Sequence, residues 1–133
     1  MAMDWTLIVR LVLAAILAGV IGLEREKSGK HFAGLRTHII VAIASALLMA
    51  TFQDLFLGDS IARMGAAIMT GLGFIGAGTI ISQGDKIKGL TTAATVWAVA
   101  GIGIVVGLGA YFEAIVGTLL IFIVLEMKKF ENK

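Results

Sequence analysis

The stretch Gly71-Leu-Gly73-Phe-Ile-Gly76 fits G-x-G-x-x-G letter for letter, the spacing by which a tight turn and a helix start bring backbone N–H groups onto a dinucleotide pyrophosphate. That chemistry needs a strand before the motif, a helix opening at it, and an acid about 20 residues further on. Here the motif sits inside a continuous apolar run, and position 96 is a valine. Neither a nucleotide nor a nucleic acid is an expected ligand. Glu24 and Glu26 can offer oxygens to a hard cation, but beside Arg25 and its basic neighbours they are expected to form salt bridges, and no metal is expected. His31 and His38 can ligate a metal together, yet read better as solvated loop or interfacial residues. Ser45 lies mid-helix with neither histidine in a neighbouring motif, so no nucleophilic triad is visible. With no cysteine in the chain, thiol catalysis and thiolate metal sites are excluded. The residues point to a protein that is not an enzyme and carries no cofactor.

The elements that position these residues follow from hydropathy. Of 133 residues 59% are hydrophobic and 15% charged, and the mean hydropathy is +0.99, far too apolar for a soluble domain of this size. Apolar runs of about 20 residues cross a ~30 Å hydrocarbon core as helices. Five are drawn, at 5–23, 37–57, 61–82, 91–108 and 111–127. The fold class is therefore all-α, a polytopic transmembrane helical bundle that forms one domain over residues 1–133. The first run lacks a basic leader and an A-x-A cleavage site, so it is expected to stay as a span. Arg25, Lys27, Lys30, Arg36, Lys86, Lys88, Lys128, Lys129 and Lys133, nine of the eleven basic residues, fall on one side of this arrangement. By the positive-inside rule that side is cytoplasmic, with the N-terminus outside and the C-terminus inside. Trp5 and Tyr111 then lie at outer helix ends, where amphipathic rings prefer the headgroup layer.

Within the spans, glycine spacing speaks for close helix packing. At ~100° per residue Gly71 and Gly78 fall on one side of the third span and Gly65, Gly73 and Gly76 near the other. That span is expected to be central, gripped on both sides. In the first span Ala14, Ala15, Ala18, Gly19 and Gly22 form a small-residue stripe, while Leu13, Ile16, Leu17 and Val20 cover the lipid side. Gly103 and Gly107 form a G-x-x-x-G pair in the fourth, beside Gly101 and Gly109. Charges inside spans are costly and few. Arg10, Arg63 and Glu113 belong to the outer layer, where Arg10 either pairs with Glu113, Asp54 or Asp59 or, like Arg63, snorkels to the headgroups. The inner layer is denser: Glu24, Arg25 and Glu26, then Arg36 and Thr37, then Thr79, Ser82, Lys88, Thr91, Thr92 and Thr95. Thr37 and Thr91 are expected helix N-caps. Estimated mid-span positions, 14–16, 46–48, 71–73 and 98–100, hold no charge, whereas a dehydrated Mg²⁺ path would demand carboxylates or water there.

Four segments carry a more specific signal: Gly22-Leu-Glu24-Arg25-Glu26, Gly34-Leu-Arg36-Thr37, Gly73-Phe-Ile-Gly76-Ala-Gly78 and Gly89-Leu-Thr91-Thr92-Ala-Ala-Thr95-Val-Trp97. Together they resemble the membrane domain of the MgtC/SapB family over nearly the whole chain. The resemblance implies a multi-pass bacterial plasma (inner) membrane protein linked to magnesium homeostasis and adaptation to low magnesium. The virulence-associated members continue beyond the position of Lys133 into a soluble domain, carry a functionally important Asn at the position of Thr91, and an important Cys at that of Ala98. The expected function is regulation by helix-to-helix contact with another membrane protein, in a chain that sits in the lipid bilayer and self-associates as a homo-oligomer. The alternative is an oligomeric channel or transporter for an ion or small solute, with Glu24, Glu26, Thr79 and Thr91 near its mouth.

Overall fold

A computed structural model describes residues 4–29 and 32–131. Its elements in chain order are α1 (Trp5–Lys27), α2 (Leu35–Leu55), α3 (Asp59–Ala77), β1 (Ile81–Gln83), β2 (Lys86–Lys88), α4 (Leu90–Gly107), α5 (Tyr111–Glu126) and α6 (Lys128–Glu131). The protein is an all-α membrane bundle. α1, α2, α3 and α4 are each long and apolar enough to cross a bilayer. α5 has 16 residues, about 24 Å of helix, and is apolar on nearly every side.

Helices form here because a chain in lipid must satisfy its own backbone groups, and the ends are set by local chemistry. Asp4 caps α1, its Oδ1 accepting from Thr6 N at 3.0 Å and Leu7 N at 3.3 Å. α1 and α2 run farther into the inner layer than hydropathy alone indicates, to Lys27 and from Leu35. The third span ends at Ala77 rather than Ser82, because Ile81 and Ser82 belong to a short antiparallel hairpin. Gln83 pairs with Lys86, leaving Gly84 and Asp85 as a two-residue turn. Gly84 has φ +59, which suits the tight hairpin turns that place glycine first. The hairpin returns the chain to α4 through Gly89, whose φ is +83 and whose added Cβ would lie 1.9 Å from Thr79 O. No side chain fits there.

α4 is the central helix, packed against α1, α2, α3 and α5. The core lies on it: Val96, Val99, Ala100 and Val106 meet Ala14, Ala18 and Ile21 of α1 and Ala42 and Ala46 of α2, all fully buried. The expectation that the third span is central and gripped on both sides is corrected, because α3 is peripheral and Gly76 is its one buried residue. An added Cβ at Gly71 or Gly73 would meet nothing within 4 Å. Gly78 is the helix C-cap. Leu17 is also corrected: assigned to the lipid side, it is 8% exposed and packs in the core, while Val12, Ile16, Val20 and Leu23 face outward.

Candidate functional site: a polar layer at one end of the bundle

The inner layer forms where α1 ends and α2 and α4 begin. Arg25, on the last turn of α1, is 2% exposed, and its guanidinium grips Glu24 twice, Nε to Oε2 at 2.7 Å and Nη2 to Oε1 at 3.2 Å. Nη2 also donates to Ser28 Oγ at 3.2 Å, and that hydroxyl donates to Arg25 O at 2.8 Å. Glu26 takes a different task. Its Oε2 accepts from Leu35 N at 2.9 Å, capping α2 across the turn. Gly34 permits this, since a Cβ there would lie 2.8 Å from the same oxygen. Thr37 and Thr91 are not N-caps: the caps of α2 and α4 are Gly34 and Gly89, which places both threonines inside their helices. The reason is that Glu26 reaches the α2 start from a neighbouring element and Gly89 is held in place by the hairpin return.

His38 is corrected most sharply, from a solvated loop or interfacial residue to a fully buried one; His31 lies outside the described residues. Nδ1 of His38 is 2.8 Å from Gly34 O and Nε2 is 2.9 Å from Thr95 Oγ1. A carbonyl can only accept, so Nδ1 carries a hydrogen. In the neutral ring Nε2 is then an acceptor and takes the Thr95 hydroxyl proton. Thr95 Oγ1 also lies 2.9 Å from Thr92 O, and its single proton serves one of the two partners at a time. The result is a buried clamp between α2 and α4. His38→Leu and Thr95→Val should each destabilise the bundle, and a double-mutant cycle should return a coupling of about 1 kcal/mol, within the range of interhelical hydrogen bonds in membranes. Strictly additive effects would show that the contact carries no energy.

A signal for His38 was present in the sequence: it opens the series 38, 42, 45, 46, 49, the helical spacing of one face. That face is buried throughout, as His38, Ala42, Ser45, Ala46 and Met49. Of the remaining inner-layer residues, Lys88, Thr91 and Thr92 line one groove at the start of α4. Thr79 Oγ1 donates to Gly76 O at 2.8 Å at the end of α3, and Arg36 and Thr91 are exposed. Among the described residues no group of three or more His, Cys, Asp or Glu is placed to hold a metal ion.

At the opposite end Arg10 is half-buried and its partners are neutral. Nε donates to Tyr111 Oη at 3.3 Å, and Nη1 to Gln53 Oε1 at 3.2 Å and to Gly107 O at 2.8 Å. The expected ion pair with Glu113, Asp54 or Asp59 is not made: among the described residues the salt bridges are Arg25–Glu24 and Lys129–Glu126. The C-terminal carbonyls of α4 carry partial negative charge and serve the guanidinium instead. Gln53 was not foreseen. Arg63 and Glu113 are exposed, Arg63 reaching Ser60 Oγ at 3.4 Å. Of the packing glycines, Gly19 lies in ordinary contact with Ile39, and Gly22 sits 2.9 Å, measured from an added Cβ, from Leu35 Cα. Gly76 approaches Ala93 O, Gly103 approaches Ala42 O and Gly107 approaches Ala46 O.

Comparison with known proteins places this arrangement. The model of the MgtC family matches residues 11–133. YhiD of Escherichia coli K12 is 45% identical over 128 residues, covering 90% of this chain and 59% of YhiD. Protein MgtC of Salmonella typhimurium strain 14028s is 40% identical over 114 residues, covering 86% of this chain and 48% of MgtC. The Synechocystis protein slr0014 is 36% identical over 122 residues, covering 91% and 52%. The chain thus spans about half to three fifths of the length of these relatives. No solved structure matches it. Because the family match covers residues 11–133, from within the first helix through the last and including the inner polar layer, the chain belongs to the MgtC family.

Proposed function

We propose that this chain is a non-enzymatic protein of the bacterial plasma membrane that serves magnesium homeostasis by helix-to-helix contact with a membrane partner. Five crossings, with α5 as the last, and a cytoplasmic inner layer fit the distribution of its basic residues. The link to magnesium rests on kinship with MgtC and with YhiD, which is named as a candidate magnesium transporter. The observation that carries the contact reading is the division of labour among glycines. Gly103 and Gly107 of α4 are filled by α2, whereas Gly71 and Gly73 of α3 stand open beside the 85% exposed Phe74. Small residues on a membrane helix let a second helix approach closely, and on α3 Gly71 and Gly73 offer such a position on each of two sides, both open among the described residues. The buried core of the bundle is mostly alanine and valine and carries no acid, which favours contact over conduction by a single chain.

The purified full chain in liposomes should pass no Mg²⁺ beyond empty vesicles when a trapped dye reports the ion. In a strain that depends on the chain for growth at low magnesium, Gly71→Leu and Gly73→Leu should abolish growth while leaving stability unchanged or higher, as expected for helix-interior substitutions in open space. Mg²⁺ flux above that of empty vesicles would turn the assignment to transport.

A further inference from the structure

Between the α1–α2 turn and the start of α4 lies a groove of about 620 Å³ whose walls include Gly29, Phe32, Ile87, Lys88, Leu90 and Thr92. We propose that this groove binds the phosphate headgroup of an anionic bilayer phospholipid. The inference requires only that the chain sit in a bilayer, and it stands whether or not the partner-contact reading holds.

Several independent features converge on that ligand. α4 begins at Gly89, which has no side chain to cap it, so the first N–H groups of the helix receive no side-chain acceptor. Such donors, at the positive end of a helix dipole, favour a phosphate oxygen. Thr92 lines the same groove at 1% exposure, which puts it at the bottom, and its Oγ1 is a buried hydroxyl without a hydrogen-bond partner among the described residues. A buried hydroxyl left unsatisfied is costly, and a phosphate oxygen in the groove supplies the missing acceptor. Lys88 adds a cation at the rim, and no carboxylate is among the described lining residues. The walls above the polar floor are apolar and outward-facing, with Phe32 38%, Ile87 65% and Leu90 61% exposed. A lipid matches this order of chemistry, phosphate below and hydrocarbon beside the apolar rim, whereas a free anion would leave the rim unused. The layer is also the basic one, where anionic lipids gather.

The test is thermal unfolding of the full chain in dodecyl maltoside, followed by tryptophan fluorescence during titration with dioleoylphosphatidylglycerol, dioleoylphosphatidylcholine or sodium phosphate. Phosphatidylglycerol should raise the midpoint saturably and the other two should not. Lys88→Gln should weaken the apparent affinity roughly fivefold, the effect of one basic residue at an anionic surface, and Thr92→Val should weaken it by a similar factor, as loss of one hydrogen bond. Thr92→Val must leave the lipid-free midpoint unchanged or higher, because it deletes a hydroxyl with nothing to bond. The proposal fails if phosphatidylglycerol has no effect, acts equally on wild type and both variants, or is matched by phosphatidylcholine. It also fails if Thr92→Val lowers the lipid-free midpoint, which would reveal a structural partner for the hydroxyl. An equal shift from sodium phosphate would move the anion from lipid to solution and overturn the lipid assignment.

Discussion

Gly103→Ala should destabilise the bundle by about 3 kcal/mol, at the upper end of what overpacking a well-filled core costs. The added methyl would stand 2.4 Å from Ala42 O, 2.9 Å from Ser45 Cβ and 3.1 Å from Ala42 C. Two of these three atoms are backbone, so no rotamer change relieves the clash and α2 must move away from α4. Gly107 repeats the situation one turn on, 2.6 Å from Ala46 O and 3.0 Å from Met49 Cβ, and Gly107→Ala should behave alike. The pair acts at the seam that also holds the His38–Thr95 clamp, so displacement at Gly103 weakens that hydrogen bond as well. Gly71→Ala is the contrasting substitution. Nothing lies within 4 Å of its added Cβ, and alanine favours a helix over glycine by up to about 1 kcal/mol, so it should be neutral or stabilising. Unfolding by dodecyl sulfate in bicelles reads all three on one scale. If Gly103→Ala and Gly71→Ala shift it equally, α2 and α4 are not in backbone contact.

The contrast between those glycines also shows what a sequence can and cannot disclose about this fold. Apolar runs of membrane length locate α1, α2, α4 and α5 within a few residues, because in lipid every run of that kind must be a helix. The end of α3 escapes the same reasoning. Ile80 and Ile81 prolong the apolar run, and only the left-handed Gly89 packed on Thr79 O explains why the chain turns back into a hairpin. Glycine abundance likewise points to close approach without saying where. It is similar in α3 and α4, yet α4 spends its glycines inside the chain and α3 leaves Gly71 and Gly73 open. The polar layers were legible as groups of residues and not as bonds. Arg10 was matched with acids because acids are visible as letters, while the carbonyl of Gly107 that it binds is a property of where a helix ends. Glu26 caps α2 from nine residues away, which no local capping pattern records. His38 and Leu17 were readable and misjudged, since the spacing of His38 with Ala42, Ser45 and Met49, and of Leu17 with Ala14, Ala18 and Ile21, puts each on a buried face.

Glu24→Ala should destabilise the chain by about 4 kcal/mol, because it strands a buried guanidinium. Arg25 is 2% exposed and Glu24 11%, so the carboxylate is the more accessible partner and the arginine the one that cannot find water when the pair is broken. Ser28 Oγ would remain as a neutral acceptor, too weak to replace a carboxylate that takes two of the guanidinium N–H groups. Arg25→Met should cost less than Glu24→Ala, since the remaining glutamate sits nearer the solvent and the methionine refills most of the arginine's apolar volume. The double variant Glu24→Ala/Arg25→Met decides the cause. If the penalty comes from an uncompensated buried charge, removing both charges should recover most of the loss, leaving the double variant more stable than Glu24→Ala alone. If the two residues instead act as independent packing elements, their losses should add. Raising the salt concentration should change little in the wild type, because a pair this deeply placed is poorly screened, whereas the same titration should weaken the exposed Lys129–Glu126 pair. The inner layer would then be held by a charge pair in which Glu24 neutralises the buried Arg25, with Glu26 left free to cap α2 and the groove at Thr92 left free to take its anion from outside.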